Sequence, residues 1–277
     1  MHNKKHFFHP FMPCSPAIPD TTLQSPLITK QVMEICEHGE IFVEKDDDLI
    51  FDHTKIILRD AEDEYFYAKT NQRMTRVSIV DVNGLDTTRI PADQIWPLAN
   101  PKFTRAPDPL PPTSYLKRPR LLYYGLDDFD CGNQILSEVE ACEVLKRNPH
   151  PNIALYLGCI VKEGRIRGLA FARYSITLSQ MLKDGTPFDR EHCLRGIEAG
   201  VRHMHKLGLV HNDLNPSNIM MDGDNPVIID FDSCKREGDE LGSKAGTDGW
   251  TLDGHDHAMQ RNDLYSLSKI RAALMKA

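Results

Sequence analysis

The chain has 277 residues, a formal net charge of −7, and hydrophobic and charged fractions of 40% and 26%, which are typical of a globular protein. The acidic excess argues against a nucleic-acid partner, because neutralising a phosphate backbone requires an excess of lysine and arginine. No apolar run is long enough for a bilayer, the N-terminus lacks the apolar core of a secretory signal, and the seven cysteines form no CxxC pair. We therefore predict an intracellular protein, cytoplasmic or nuclear, with reduced thiols and no membrane partner.

The first part of the chain divides into an arm, a β-rich segment and a linker. Residues 1–30 are rich in Pro, Ser, Thr and His without periodicity, which predicts a disordered arm. Residues 31–100 hold short β-type runs between acidic or Asn-Gly breaks, which predicts an antiparallel meander. Residues 101–112 are proline-rich, which favours extended backbone and predicts a linker. The β-type runs lie at 41–43, 55–58, 65–67 and 77–80.

From about residue 113 the pattern changes to mixed strands and helices, which predicts an α+β domain over 113–277. Asp189 is a suitable N-cap for the longest apolar stripe, and Gly208 supplies the left-handed residue expected after its helix. The predicted elements are a strand at 115–117, a helix over 133–147, a hairpin joining 156–161 to 166–171, the helix after Asp189, a hairpin pairing 218–221 with 227–230, and a helix over 263–277.

The stretch 209–234, LVHNDLNPSNIMMDGDNPVIIDFDSC, carries the residues most indicative of chemistry. Asp213 and Asn218 lie on one loop after a helix, and Asp230 ends the next hairpin. Phosphoryl transfer needs a carboxylate that orients the acceptor hydroxyl and takes its proton. It also needs oxygen ligands that hold Mg²⁺ against a triphosphate. This combination of residues therefore indicates a site for ATP and Mg²⁺.

The same stretch resembles the catalytic loop and metal-binding segment of eukaryotic protein kinases, H-R-D-L-x-x-x-N followed by D-F-G. Here the motifs read HNDLNPSN at 211–218 and DFD at 230–232. The resemblance covers roughly 113–277 and is closest to kinase-like proteins of fungi. Further similar features, in the kinase order, are HPNI at 150–153, Gly246-Thr247 with Trp250, and NDLYSL at 262–267.

The resemblance implies a bilobal, protein-kinase-like α+β fold with a β-rich N-terminal extension and a shortened helical C-lobe. It implies a Ser/Thr protein kinase that uses ATP and Mg²⁺ on a protein substrate. Asp213 would be the catalytic base, and Asn218 and Asp230 would hold the metal. Asn215 is a further catalytic-loop candidate, because it occupies the position of a lysine that steadies the γ-phosphate.

The resemblance also implies the nucleotide-binding residues. Lys117 would contact the α- and β-phosphates and pair with Glu138. We prefer Glu138 to Glu140 because the residues three, four and seven positions later then face inward. The implied contacts around adenine are Phe171 before the hinge, the backbone of Ala172 and Tyr174, and Leu178 on the pocket floor.

Departures from the kinase pattern leave other functions open. Asn212 and Asn215 replace an arginine and a lysine, Asp232 replaces the glycine of the metal motif, and no Ala-Pro-Glu follows Thr247. The arginine's loss predicts no control by activation-loop phosphorylation. No glycine lies in the stretch between positions 84 and 125, where a phosphate-covering loop is expected.

These departures suit a pseudokinase that acts as a binding or scaffold module. A small-molecule kinase of the aminoglycoside or choline type also lacks the lysine. The sequence leaves the substrate and the oligomeric state open.

Overall fold

The computed structural model describes residues 6–10, 33–45, 48–73, 84–126, 129–242, 246–252, 254 and 256–276, with the backbone alone for 6–10. The structure is mixed α+β, as predicted, with antiparallel sheets and helices. Its contacts define two compact units, residues 1–95 with 120–131, and residues 96–119 with 132–277. The strand predicted at 77–80 lies outside the described residues. No helix in the described ranges is long and apolar enough to cross a membrane.

The first unit is built on one antiparallel sheet in the order β1-β2-β3-β4-β5. The long hairpin of β2 and β3 forms its centre, and Ile56 and Leu58 of β3 pack with Ala68 of β4 in the core. The predicted runs at 41–43 and 65–67 lie in β2 and β4. The elements are β1 (His6–Pro10), β2 (Glu34–Lys45), β3 (Asp48–Arg59), β4 (Tyr65–Thr70), β5 (Thr87–Arg89) and the short helix α1 (Ala92–Ile95).

Part of the arm predicted to be disordered is a strand. β1 pairs antiparallel with β2, from His6 opposite Val43 to Pro10 opposite Gly39. The edge of a strand offers a row of backbone donors and acceptors to any extended segment, and composition does not record that opportunity. The rest of the arm lies outside the described residues.

Residues 120–126 also belong to the core of the first unit, although they are distant from its strands in sequence. The Glu37 carboxylate accepts hydrogen bonds from the backbone amides of Leu121 (2.7 Å) and Leu122 (3.3 Å). A Cβ on Gly39 would lie 2.7 Å from a methyl carbon of Leu122, so this glycine provides the leucine with its space. Both leucines are buried, so the sheet and this stretch pack as one body.

Lys55 is a buried lysine of β3 that contacts the same stretch. Its ammonium donates to the Tyr124 carbonyl oxygen and lies 5.7 and 5.8 Å from the ring centres of Tyr67 and Tyr124. Burial, assisted by the charge of Lys69, lowers the pKa of Lys55 to about 8, while Glu37 opposes the shift. Removing a charge from water in this way costs free energy unless the new contacts offset it.

The second unit begins with an antiparallel sheet in the order β6-β8-β7, followed by mainly helical structure. The β7–β8 hairpin has the predicted turn, in which Glu163 and Gly164 both have positive φ, 54° and 74°. Its elements are β6 (Ser114–Lys117), α2 (Cys131–Arg147), β7 (Tyr156–Lys162), β8 (Arg165–Ala172), β9 (Ile176–Thr177), α3 (Leu178–Asp184), α4 (Arg190–Lys206), β10 (Leu209–Val210), a 3-10 turn (Pro216–Asn218), β11 (Ile219–Asp222), β12 (Asn225–Ile228), β13 (Lys235–Arg236) and α5 (Gln260–Met275).

Helix α4 follows its local sequence signals closely. The Asp189 side chain accepts a hydrogen bond from the His192 amide at 2.8 Å, as expected of an N-cap. Gly208 has φ +72°, the left-handed conformation predicted for it. The predicted stripe, Leu194, Ile197, Val201 and Met204, is buried. Helices α2 and α5 begin at Cys131 and Gln260, slightly earlier than predicted.

The segment predicted as a linker, residues 101–112, is instead part of the second unit. The Cys159 amide donates to the Thr104 carbonyl at 2.8 Å, and the Ala106 amide donates to the Cys159 carbonyl at 3.0 Å. The extended backbone favoured by proline therefore forms a parallel bridge along the outer edge of β7, at Arg105. Proline is tolerated at a sheet edge, so composition predicted the conformation but not its attachment.

We expect Lys55 to make the stability of the protein rise between about pH 8 and its ordinary pKa of 10.5. In that window the unfolded chain still holds a proton that the folded chain has lost, so raising the pH favours folding. The wild type should gain about 2 kcal/mol relative to Lys55→Met across this window, allowing for partial solvent screening. Urea unfolding at several pH values measures this difference. Lys45→Met, at an exposed lysine of the same sheet that does not act on Lys55, serves as control, and parallel curves for wild type and Lys55→Met would contradict the assignment.

Candidate functional site

The catalytic-loop residues and the end of the β11–β12 hairpin meet through Asn218. Its side-chain amide donates to the backbone oxygen of Asp213 (2.8 Å) and to the carboxylate Oδ2 of the same residue (3.0 Å). Its backbone oxygen accepts from the Ile229 amide at 3.0 Å. Because Asp230 follows Ile229, the pairing of two strands that are adjacent in sequence brings the two predicted carboxylates to one place.

Lys117, on β6, lies at the centre of an ion cluster. Its ammonium nitrogen is 2.6 Å from Glu138 Oε1 and 2.5 Å from Asp230 Oδ1, with Asp232 Oδ2 at 3.9 Å. The alternative partner, Glu140, is exposed. The structure therefore contains the ion pair that the resemblance implies, with the glutamate that spacing along α2 favoured, and it adds the carboxylate of Asp230.

Burial and the attraction between opposite charges oppose each other in their effects on the pKa values of Lys117 and Glu138. Burial opposes the charge of Lys117, but Asp230 and then Glu138 outweigh it and raise the pKa of the lysine well above its ordinary value. Burial raises the pKa of Glu138 to about 7, although the lysine charge opposes that shift. The partly buried lysine is therefore held as a cation, suited to anionic oxygens.

Asp213 is held by two further residues of the loop and the segment after it. The Thr247 amide and hydroxyl donate to Asp213 Oδ1 at 2.8 and 2.6 Å. The Asn215 amide nitrogen lies 3.2 Å from both Asp213 Oδ1 and the Thr247 hydroxyl oxygen. The Asn215 oxygen accepts from the Ser217 amide, so this residue both caps the 3-10 turn and orients the carboxylate. Thr247 was not predicted as a site residue. The similarity of the Gly246-Thr247 pair to a kinase feature was the sequence signal that could have identified it.

The buried carboxylate of Asp263, on α5, hydrogen-bonds the backbone of the loop that carries Asp213. Asp263 accepts hydrogen bonds from the backbone amides of His211 and Asn212, both at 2.9 Å, and contacts His205 Nε2 at 2.8 Å. The side chain of Asp263 has no exposed surface. It satisfies loop donors that would otherwise be buried without partners, which fixes the backbone just before Asp213.

His211 connects the loop that carries Asp213 to the hairpin through both of its ring nitrogens. Its Nδ1 accepts from the Asp213 amide at 3.3 Å, so the proton lies on Nε2, which donates to the Ile229 carbonyl at 3.0 Å. The residue is completely buried. With both ring nitrogens committed to the backbone, His211 ties the loop to the hairpin rather than carrying a proton to a substrate.

Asn212, at the position of the kinase arginine, is a neutral bridge. Its nitrogen donates to the carbonyl oxygens of Val210 and Ser233 at 3.1 Å, and its oxygen accepts from Asn262 at 3.1 Å. Its φ of +63° is a conformation that asparagine adopts more readily than most residues. The residue therefore joins the loop, the segment after Asp230 and α5 without a phosphate.

The residues predicted for adenine lie on and after β8. Phe171 is buried beside the ring of Phe231, with 6.5 Å between ring centres. The Ala172 amide donates to the Leu155 carbonyl, and the Tyr174 hydroxyl accepts from the Leu155 amide. Register places β8 beside the strand that carries Lys117.

Leu178 does not form the floor of an open pocket. It begins α3 and has no exposed surface, so in this structure it is a core residue that offers nothing to a nucleotide. A cavity of about 360 Å³ in the same unit lies elsewhere, between the end of α2 and residues 149–156, and is lined on one side by Tyr174. It includes none of the charged residues of the site.

The donor set suits a divalent cation and a nucleotide. The Asn218 nitrogen is committed to Asp213, so its side-chain oxygen is the atom available to a cation. Mg²⁺ prefers such oxygens and completes its octahedron with water and phosphate. Lys117 adds a partly buried cation suited to phosphate oxygens.

Comparison with known proteins agrees with this geometry. The model of the protein kinase domain matches residues 126–276, more than half of the chain. The chain belongs to the protein kinase domain family, a family of kinase-like phosphotransferases.

Several curated proteins are similar to parts of this chain. The serine/threonine-protein kinase/endoribonuclease IRE1 of Hypocrea jecorina is 30% identical over 122 residues, 36% of this chain and 10% of that protein. The dual specificity testis-specific protein kinase 1 of Homo sapiens is 30% identical over 82 residues, 28% of this chain and 13% of that protein. The serine/threonine-protein kinase PSK1 of Saccharomyces cerevisiae is 28% identical over 107 residues, 36% of this chain and 8% of that protein. Each match spans a small part of the relative.

We expect Asp263→Ala to destabilise the second unit by about 3 kcal/mol, because it leaves two buried backbone amides without an acceptor. The conservative Asp263→Asn should retain part of this stability, since its amide oxygen still accepts. Thermal unfolding of the three proteins measures the difference. Asp256→Ala, at an exposed carboxylate near the same helix, is the control. Equal melting temperatures for wild type and Asp263→Ala would refute the supporting role.

Proposed function

We propose that this protein transfers the γ-phosphoryl group of ATP, with Mg²⁺, to a serine or threonine hydroxyl of a protein. The observation that carries the proposal is the double contact of Asn218, which bonds the Asp213 carboxylate through its side chain and the residue before Asp230 through its backbone. Asn218 thus links the proposed proton acceptor to the chain segment that carries the proposed metal ligand, and phosphoryl transfer needs these two groups close together.

In the proposed reaction Asp213 orients the acceptor hydroxyl and takes its proton. As the hydroxyl oxygen bonds to the γ-phosphorus, the bond from that phosphorus to the β-phosphate oxygen breaks and ADP leaves. Hydrogen bonds from Thr247, Asn215 and Asn218 leave the Asp213 carboxylate little freedom, so the proton acceptor is preorganised.

Asn218 and Asp230 would hold Mg²⁺, which supplies neutralisation of phosphate charge when it is bound. Lys117 would bind phosphate oxygens, and Glu138 keeps the lysine positioned when Asp230 turns to the metal. The backbone of Ala172 and Tyr174 and the side chain of Phe171 would meet the adenine. These roles follow from the residues' places in the site and from the family.

A protein acceptor is favoured by Thr247 and by the relatives. Thr247 donates two hydrogen bonds to the Asp213 carboxylate, so a peptide docked along the segment of Thr247 would present a hydroxyl to the proposed base. Two of the relatives described above are named as serine/threonine kinases and one as a dual-specificity kinase.

A second candidate is a pseudokinase that binds a nucleotide or partner without transfer. The stretch between positions 84 and 125 contains no glycine to form a flexible phosphate cover. In addition, Asn215 contributes no positive charge near the transferred phosphate. These features would lower transfer while leaving the ion cluster around Lys117 intact.

We expect Asp213→Ala to lower phosphoryl transfer by about 10²- to 10⁴-fold, because the acceptor loses its base, while ATP–Mg²⁺ binding persists. Asp230→Ala should abolish the Mg²⁺-dependent part of binding as well. Transfer from labelled ATP to a mixed Ser/Thr peptide library, together with calorimetric titration of ATP–Mg²⁺, measures both quantities.

Asp224→Ala, an exposed carboxylate in the turn between β11 and β12, is the matched control and should behave as wild type. Transfer by Asp213→Ala at the wild-type rate would refute the base. Binding without transfer in the wild type would favour the pseudokinase, and turnover on aminoglycosides or choline but not on peptides would favour a small-molecule kinase.

A further inference from the structure

Helix α2 carries a second buried carboxylate that the catalytic site does not use. Glu143 is 5% exposed, and its two oxygens accept from the Thr104 amide (2.6 Å) and the Thr104 hydroxyl (3.1 Å). A buried carboxylate is costly unless it is fully hydrogen-bonded, so this contact represents a specific attachment rather than a surface charge.

Thr104 lies in residues 96–106, which we call the edge segment. The segment runs beside the hairpin of β7 and β8: the Ile166 amide donates to the Pro97 carbonyl, and the Ala99 amide donates to the Gly164 carbonyl. Its first residue, Trp96, is 1% exposed and lies under the guanidinium of Arg167, at 5.4 Å. The edge segment is therefore anchored well before it reaches Thr104.

The approach of the edge segment to β7 depends on one glycine. A Cβ on Gly158 would lie 2.4 Å from the Ala106 nitrogen, and the φ of Gly158 is +142°. Both conditions exclude a side chain at this position. The close approach lets Cys159 bond the backbone on both sides of Arg105 and sets Thr104 against α2.

The two carboxylates of α2 hold the helix from different sides. Glu138 and Glu143 are five positions apart, which places them about 140° apart around the helix axis. Glu138 meets Lys117, and Glu143 meets the edge segment. Two fixed points at different angles and heights restrict both rotation and sliding of the helix, whereas either one alone leaves a rotation free.

We propose that Glu143 and Thr104 are positioning residues: their contact holds α2 in the orientation in which Glu138 reaches Lys117. Neither residue touches a reacting atom. The structural part of the proposal stands on the contacts alone, and its kinetic part rests on the proposed function.

The test uses the full chain, four variants of the contact and one control variant. Thr104→Glu places a carboxylate against Glu143, and Glu143→Gln removes the repulsion while keeping an oxygen acceptor. The double variant combines them, and Thr104→Val removes only the hydroxyl. Lys102→Glu, at an exposed position of the same segment, controls for added negative charge.

Without nucleotide, Thr104→Glu should speed hydrogen exchange of the α2 amides by about tenfold, and the double variant should return it towards wild type. Lys102→Glu should leave it unchanged. If Thr104→Glu does not fold, Thr104→Val carries the test with an expected increase of about fivefold. Three results would overturn the proposal: equal exchange in Thr104→Glu and Lys102→Glu, no return towards wild type in the double variant, or no change in Thr104→Val.

Kinetics separate positioning from general support. Thr104→Glu should raise the KM for ATP and lower kcat while leaving the KM for the acceptor peptide unchanged, because the Lys117–Glu138 pair serves the nucleotide. A rise in both KM values would indicate general unfolding and count against the proposal. If the wild type shows no turnover, the proposed function fails, whereas the exchange result still decides whether the contact positions α2.

Discussion

The site depends on one partly buried ammonium group with carboxylates from two distant parts of the chain. Lys117 meets Glu138, 21 residues later, and Asp230, 113 residues later. Each carboxylate is costly to bury alone, and the lysine offsets that cost only if a strand, a helix and a hairpin all take their native places. The cluster therefore couples the correct assembly of the second unit to the formation of a place for phosphate.

The loop that carries Asp213 is stabilised by hydrogen bonds to side chains of the same unit. Asn212 joins three segments through one amide group, and Asp263 satisfies the loop's backbone donors. An arginine at the position of Asn212 would need an anion as its partner, whereas an asparagine is satisfied by carbonyl oxygens and another amide. In this chain the loop is thus held by contacts that are present as soon as the unit folds.

The sequence predicted the local elements well and their attachments poorly. The stripe and N-cap of α4, the β7–β8 turn and the pairing of Lys117 with Glu138 all follow from spacing along one element or from a motif. The strand β1 and the edge segment could not be predicted, because each pairs through its backbone with an edge created elsewhere. Leu178 was placed in the pocket by resemblance, but its burial depends on how α3 packs. Thr247 was missed because its contact with Asp213 spans 34 residues and several elements, so no spacing along one element links the two positions.

The packing of residues 120–126 into the first unit affects where the chain can be divided into separate fragments. The part of the chain that matches the kinase family begins at residue 126, so a cut made at that boundary would remove β6, which carries Lys117 and pairs with β8. A cut at residue 96 would instead leave the apolar side chains of Leu121 and Leu122 without the β-sheet and without the Glu37 carboxylate that binds their amides. Either division would remove native contacts, so aggregation of an excised domain would reflect where the chain was divided rather than an intrinsically unstable enzyme fold.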